Sequence, residues 1–506
     1  MIKKVIAFLL LMVVLMACQS GDDGPVDPGP TGGSDNDVIK INTAQVINGS
    51  YIGNGAQWDA YPRAYLNWNS PLSESDWQKI QGRLDFMKPR LMRVMIDAGA
   101  NYAGNGGYEP ELNLEPLARI LQYCTDNDIT VMFGDWGGNL VNPDTNAINE
   151  TNLTNAARFV DYLVNTKGFT CIKYYNMINE PNGNWSSNKG NYDLWVNAVN
   201  YFYQQMESIG IATKVKLVAP DIAIWTTNEV PWIQNTARDI GDEKIGLYDI
   251  HTYPGQIHVK NKDYTDVIKA YIDQVPAGKK MIMGELGFKY DANLDAPLYR
   301  GNLERAEADP FASNTDSNMY VKDFFYGIDI ADASMQIINA GYSGIVVWNL
   351  DDAMHNTNGG SGKDLKTWGF WNILGEELFG GAAEEEIRPW FYSYALLSRY
   401  MQTGVSVLKV DMPDKRGVNA IAVTNGSEYA IAIVNSGFSS YTADLKFDSG
   451  TTLNNVKQFV YEEATRPTDS NGLPVPHNMG LSLNLSDGYT LEVKGQSFVL
   501  FTNFNY

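Results

Sequence analysis

Cysteine is scarce: of three in 506 residues, only Cys124 and Cys171 fall in the body of the chain, too few for a disulfide framework. Both are expected as buried free thiols, with a single bridge between them as the alternative. Histidine is almost as rare at four. No His/Cys/Asp spacing indicates a catalytic metal and no glycine-rich phosphate loop follows a strand, so neither a metal nor a cofactor is expected. Positive charge is short as well. Against 59 Asp and Glu stand 38 Lys and Arg, a net charge of −21 that repels phosphate backbones and argues against a nucleic-acid partner. A bilayer-length apolar run is missing near the start, where "VIAFLLLMVVLMA" has 13 residues, the length of a signal-peptide core. What is present is 44% apolar and 12% aromatic side chains, the composition of a folded protein with a large core.

Lys3 and Lys4 precede that run, and it ends in "LMAC", which resembles the bacterial lipobox. The resemblance implies a lipoprotein signal peptide over residues 1–17 and lipidation of Cys18. The plainer alternative is a secretory peptide with a chance cysteine. Residues 18–38, "QSGDDGPVDPGPTGGSDND" and its flanks, carry too little apolar surface to repay ordering and are expected to be a tether. The acidic stretch after the cysteine resembles the export signal of surface lipoproteins. The location implied is the outer membrane or cell surface, with the periplasmic side as the alternative and the membrane reached through the lipid alone.

From 39 to 402, short β-branched runs alternate with amphipathic stretches, which predicts βα units around a parallel sheet. Eight runs qualify: 51–58, 91–97, 129–136, 172–180, 215–221, 247–253, 280–285 and 344–350. The fold class expected is α/β, a (β/α)8 TIM barrel. In "SESDWQKIQGRLDFM", Ser75 and Gln78 have capping-box spacing, and Trp77, Ile80, Leu84 and Met87 fall on one face. Further helices are expected near 151–166, 191–208, 264–274, 319–340 and 384–402. Segments 286–318 and 351–383 are long for connections and rich in Gly, Asn and Asp. From 403 to 506 short alternating runs predict a small β-sandwich, read as a structural partner of the barrel.

In such a barrel the site lies at the C-terminal strand ends, and polar residues gather there. The second strand carries Arg93 and ends at Asp97, the third ends in Asp135 and Trp136, and the fourth in Asn179 and Glu180 ahead of Pro181. The sixth ends in His251 and Tyr253, the seventh in Glu285, and the eighth holds Trp348 and Asn349. Two glutamates facing across an aromatic-lined mouth suit glycosidic bond cleavage, one protonating the departing oxygen and the other meeting the oxocarbenium carbon. Trp58, Asp59 and Trp136 either line subsites or pack the mouth. Arg93 is a partner for Glu285 or an internal ion pair, and His251 a site residue or a satisfied core histidine. Asp351, Asp352 and His355 either bind sugar hydroxyls or a structural ion, or are simply solvated.

"INEP", "HTY", "GE" and "VVW", in that order at strand ends, resemble glycoside hydrolase clan A, the retaining (β/α)8 glycosidases that include families 5 and 39. The resemblance implies Glu180 as acid/base and Glu285 as nucleophile. It further implies Asn179 on the sugar 2-hydroxyl, Tyr253 and Arg93 on Glu285, His251 lining the site and Trp348 beneath the reactive sugar; Asp135, Trp136 and Trp58, read from their places at strand ends, are expected as further substrate contacts. The function expected is a retaining β-glycoside hydrolase acting on a carbohydrate, β-glucan or β-mannan foremost. A glycan-binding lipoprotein without catalysis and a transglycosylase on the same barrel are the rivals.

Overall fold

The computed structural model describes residues 37–61, 72–104, 107–355 and 362–506. The expected signal peptide, Cys18 and nearly all of the expected tether lie outside the described residues. All eight expected barrel strands form: Gly53–Ala56, Leu91–Ile96, Thr130–Asp135, Ile172–Asn176, Lys216–Val218, Ile245–Thr252, Met281–Leu286 and Gly344–Val347. They pair in parallel in chain order, and a bridge between Gln57 and Arg93 closes first strand on second. The architecture is a (β/α)8 barrel with a second large sheet.

Side-chain period explains the interior. Ile52, just ahead of the first strand, and Leu91, Met132, Val218, Leu247, Ile282 and Val346 from six others form an apolar layer inside the barrel. Two residues further along their strands stand Arg93, Asp249, Gly284 and Trp348. Apolar residues thus plug the base and polar ones form the floor of the mouth.

The first barrel helix, Glu74–Met87, buries Trp77, Ile80, Leu84 and Met87 as expected, each worth roughly 1.5–3 kcal/mol of transfer from water. Its cap differs from the expected Ser75 and Gln78. Ser73 is the N-cap and Asp76 its partner, because the Asp76 carboxylate accepts from the Ser73 backbone at 2.8 Å while the Ser73 hydroxyl accepts from the Asp76 amide at 3.2 Å. Helices Leu114–Asp126, Val230–Thr236 and Ala296–Ala308 were not expected, the last inside the segment read as a long connection. Cys124 and Cys171 are both buried and free. Among the described residues no helix is long and apolar enough to cross a membrane.

The second sheet has nine strands and one departure from the sequence reading. Strand Asp37–Asn48, grouped with the barrel at 39–402, pairs with Ser406–Asp411 and Tyr441–Phe447 in the middle of this sheet. Its inward Ile39 and Ile41 fill the sandwich core beside Leu408 and Leu445. Strand Val418–Asn425 shows how the two halves join: Val418, Ala420 and Ala422 face the sandwich core while Ile421 and Val423 face the barrel. Asp332 on barrel helix Phe324–Asn339 seals the contact, accepting from Ser436 at 2.6 Å and Asn419 at 2.5 Å.

Candidate active site

The register between the sixth and seventh strands builds the floor. Ile250 pairs with Met283, but His251 pairs with Glu285, so Gly284 is an extra residue on the seventh strand. A bulge of this kind re-aims the next side chain, and here it turns Glu285 inward when alternation alone would turn it out. Only glycine fits the position, since a Cβ on Gly284 would lie 1.9 Å from an Asp249 carboxylate oxygen. That is the physical content of the "GE" pair.

Glu285 is held on both oxygens. Arg93 Nη1 donates to Oε1 at 2.5 Å, and the Tyr253 hydroxyl donates to Oε2 at 2.5 Å. Arg93 is completely buried and divides its other contacts among Gln57 at 2.9 Å, Asn179 at 2.7 Å and Asp221 at 3.2 Å. Burial opposes its charge, and Asp221 and Glu285 restore it, so the guanidinium is more firmly protonated than in water.

Glu180 sits opposite. The strand ladder ends at Asn176, four residues before the position expected, and Glu180 adopts a left-handed φ of 49° ahead of Pro181. His251 Nδ1 lies 3.1 Å from its Oε1, and the Trp185 indole N–H donates to Oε2 at 2.6 Å. Burial pushes this carboxyl up, but the His251 hydrogen bond and charge, with Trp185, outweigh it and hold it below its ordinary value. His251 is itself more readily protonated than an ordinary histidine: burial disfavours the charge, yet Glu285 and Asp221 raise its pKa well above the usual value. Its Nε2 lies 3.1 Å from Asp221, whose carboxyl burial would raise and Arg93 instead holds far down. Asp249, 3.7 Å from the same nitrogen, is pushed up by burial.

One carboxylate oxygen of Glu180 and one of Glu285 lie within 4.8 Å of each other and of a His251 nitrogen. Glu180, His251 and Glu285 could converge on a metal, as could Asp221, Asp249 and His251. Neither set fits one well. Arg93, bonded to Glu285 and Asp221, already supplies the positive charge an ion would bring.

Above this floor opens a cavity of about 930 Å³. Asn179, Tyr253, Trp136 and Trp348 line it as expected. Trp348 and Trp136 meet edge to face at 6.1 Å, and His355 stacks flat on Trp348 at 4.9 Å. Asp59 belongs here, bonded to His355 at 2.8 Å and to the Met95 amide at 2.7 Å. Lys289, Asp316 and Lys366, from the two long segments, complete one wall.

Two expected substrate contacts fall elsewhere. Trp58 is fully buried outside the barrel against Trp77 and Tyr123. Asp135 is fully buried and accepts from the Tyr102 hydroxyl at 2.9 Å and the Gly137 amide at 2.7 Å, and burial pushes its carboxyl to about 8. In both cases alternation points the side chain outward, toward the helices. Asp351 and Asp352 are also structural, accepting from Tyr61, Trp371 and the Ile373 amide, and from Trp368, Gly369 and Arg388. Sequence reasoning missed Asp221, Gln57 and Trp225. Asp221 stood at the end of the fifth run as a visible signal, and Trp225 follows Ile222–Ile224, a strand pairing with the sixth that was not counted.

No protein-family model and no curated sequence matches the chain. Solved structures match it in fold. The catalytic domain of the GH30 xylanase C from Talaromyces cellulolyticus aligns with TM-score 0.62 at 12% identity, over 92% of this chain and 99% of that one. A GH39 β-xylosidase from Caulobacter crescentus aligns at 0.56 and 11%, over 92% and 99%. An endo-β1,6-glucanase aligns at 0.57 and 15%, over 93% and 94%. Over nearly its whole described length, then, the chain shares the barrel-plus-β-domain fold of these glycoside hydrolases.

Proposed function

We propose that this protein is a retaining β-glycoside hydrolase with Glu285 as nucleophile and Glu180 as acid/base. The observation that carries the reading is the unequal treatment of two facing carboxylates. Both line the cavity, but Glu285 is clamped by the permanent cation Arg93 and by Tyr253, as a charged nucleophile requires, whereas Glu180 is held by His251, which can titrate, and by the neutral Trp185 indole. One oxygen of each lies within 4.8 Å of one of the other, a close approach that supports retention, since inverting pairs stand about 6.5–9.5 Å apart to leave room for a water.

In the first step Glu285 attacks the anomeric carbon as protonated Glu180 gives its proton to the departing oxygen, leaving a glycosyl ester on Glu285. Once esterified, Glu285 carries no charge. Glu180, now ionised and held so by His251 and Trp185, takes a proton from water, which attacks the same carbon and releases the sugar. Trp348, backed by His355, is the platform for the reacting sugar, and Asn179 and Asp59 are hydroxyl partners.

β-Glucan and β-mannan remain the leading substrates, and the names of the fold neighbours add xylan and β-1,6-glucan. A lipid on Cys18 would hold the protein at the outer membrane or cell surface. Purified protein incubated with these glycans, beside Glu180→Gln and Glu285→Gln, tests the reading. Sugar release that both substitutions abolish supports it. Binding without release from any of the glycans favours the glycan-binding rival.

A further inference from the structure

Among the described residues two tryptophans are exposed, Trp185 at 57% and Trp225 at 54%. Both stand at the cavity, 5.8 Å apart and nearly perpendicular. An exposed indole loses apolar burial, so two meeting at one corner of a polar mouth form a surface awaiting a partner. The corner is also preorganised. Trp185 rides on the turn after Glu180 and Trp225 follows Ile222–Ile224, and Asn182 staples the two segments, donating to the Ala223 carbonyl at 2.7 Å and accepting from its amide at 3.1 Å. Gly183 lets the Trp185 ring fold back over its own turn, since a Cβ there would lie 2.3 Å from the indole.

We propose that Trp185 and Trp225 form the subsite for the leaving-group sugar, and that Trp185 is a positioning residue linking that subsite to the proton on Glu180. This rests on the reading of Glu180 as acid/base. The two walls of the corner suit a pyranose presenting its apolar face to one indole and an edge to the other, so the substrate carries at least one sugar on the leaving side. The indole N–H that bonds Glu180 Oε2 at 2.6 Å belongs to that same platform. It stabilises the carboxylate and fixes its rotation, so Glu180 leaves the first step as an oriented base. A new sugar on the same corner competes with water for the glycosyl ester, and transfer to that sugar follows the same atoms: its hydroxyl proton goes to Glu180, its oxygen bonds the anomeric carbon, and the ester bond to Glu285 breaks to return the free carboxylate.

Trp185→Phe keeps an aromatic face and removes the N–H. The Glu180 carboxyl, followed by carbon NMR in labelled full-length protein, should then titrate about one pH unit higher than in the parent. This arm needs no turnover, so it stands even when no glycan is cleaved and the proposed activity fails. On a cleaved glycan, Trp225→Ala should raise KM roughly five- to tenfold and leave the pH limb of kcat/KM in place. The aryl glycoside of the same glycone, which puts no sugar on the corner, should show no such KM change. An unmoved Glu180 titration in Trp185→Phe overturns the coupling. Equal KM effects of Trp225→Ala on glycan and aryl glycoside overturn the subsite.

Discussion

The Glu180 amide donates to the Asp221 carbonyl at 3.1 Å, and both residues hold left-handed backbone, with φ of 49° and 60°. Neither is a glycine, so each conformation costs on the order of 1–3 kcal/mol and persists only where its surroundings impose it. Beside them the Asp221 carboxylate accepts from Arg93, from Asn176 at 2.6 Å, and from His251. Asp221, which the sequence reading did not single out, thus ties Glu180 to Arg93, the cation on Glu285.

Asp221→Ala should therefore cost roughly 3–5 kcal/mol of unfolding free energy, since it leaves two buried cations short of a partner. Asp221→Asn, which keeps the shape, should cost less. Urea denaturation measures both, and a loss in the alanine variant below 1 kcal/mol would remove Asp221 from the centre of the network.

On the proposed mechanism His251 sets the working pH. Its positive charge lowers the Glu180 carboxyl, and Glu180 must be protonated for the first step. On natural glycans kcat/KM should then fall as pH rises through a Glu180 value below the ordinary carboxylate range. His251→Asn removes the charge, raises Glu180 and moves that falling limb to higher pH. Aryl glycosides with good leaving groups, which need no acid, should lack the limb in both proteins.

Glu180→Ala should lose about 10²–10⁴-fold on natural glycans and far less in the first step on activated aryl glycosides. Added azide should enter the vacated space, accelerate turnover and give a β-glycosyl azide. The α-azide would mean a single displacement, and Glu285 would then no longer be the nucleophile.

Asp135 offers a test away from the cavity. Its folded value of about 8 lies above the unfolded one, so its neutral form favours the fold at low pH and that contribution is lost as pH rises from about 4 toward 8. Asp135→Asn keeps a neutral side chain throughout, so relative to the parent it should gain stability across this window, by at most about 1.4 kcal/mol per unit. Melting curves at pH 4, 6 and 8 decide it. A Michaelis constant shifted as strongly as in Trp348→Ala would return Asp135 to the sugar site.

The barrel was legible because burial in a parallel sheet forces apolar runs, and eight of them stood at the right spacing. Glu180, Glu285 and Tyr253 stood out because strand ends are where a barrel exposes chemistry, and Arg93 because a cation inside a barrel needs a partner. The two misplaced contacts have one cause. Trp58 and Asp135 also lie at strand ends, but which face a residue takes depends on register, and the bulge at Gly284 shows that one extra residue inverts the pattern. Helix Ala296–Ala308 escaped notice because its exposed Leu303 and Tyr299 and many charges give it little apolar periodicity.

Strand Asp37–Asn48 separates Ser406–Asp411 from Tyr441–Phe447, and its Asn42 side chain bonds Asp411 across 369 positions of sequence. The sandwich is therefore split in the gene and the barrel inserted within it. A ribosome that has released the whole barrel still holds a sheet with only its first member made. Until the last hundred residues emerge, Ile39 and Ile41 have no apolar partners, and a nascent chain stopped near residue 402 would expose an unpaired strand open to wrong associations. Contacts this distant slow the search for the native pairing, so the sandwich should close last and limit the rate at which the molecule folds.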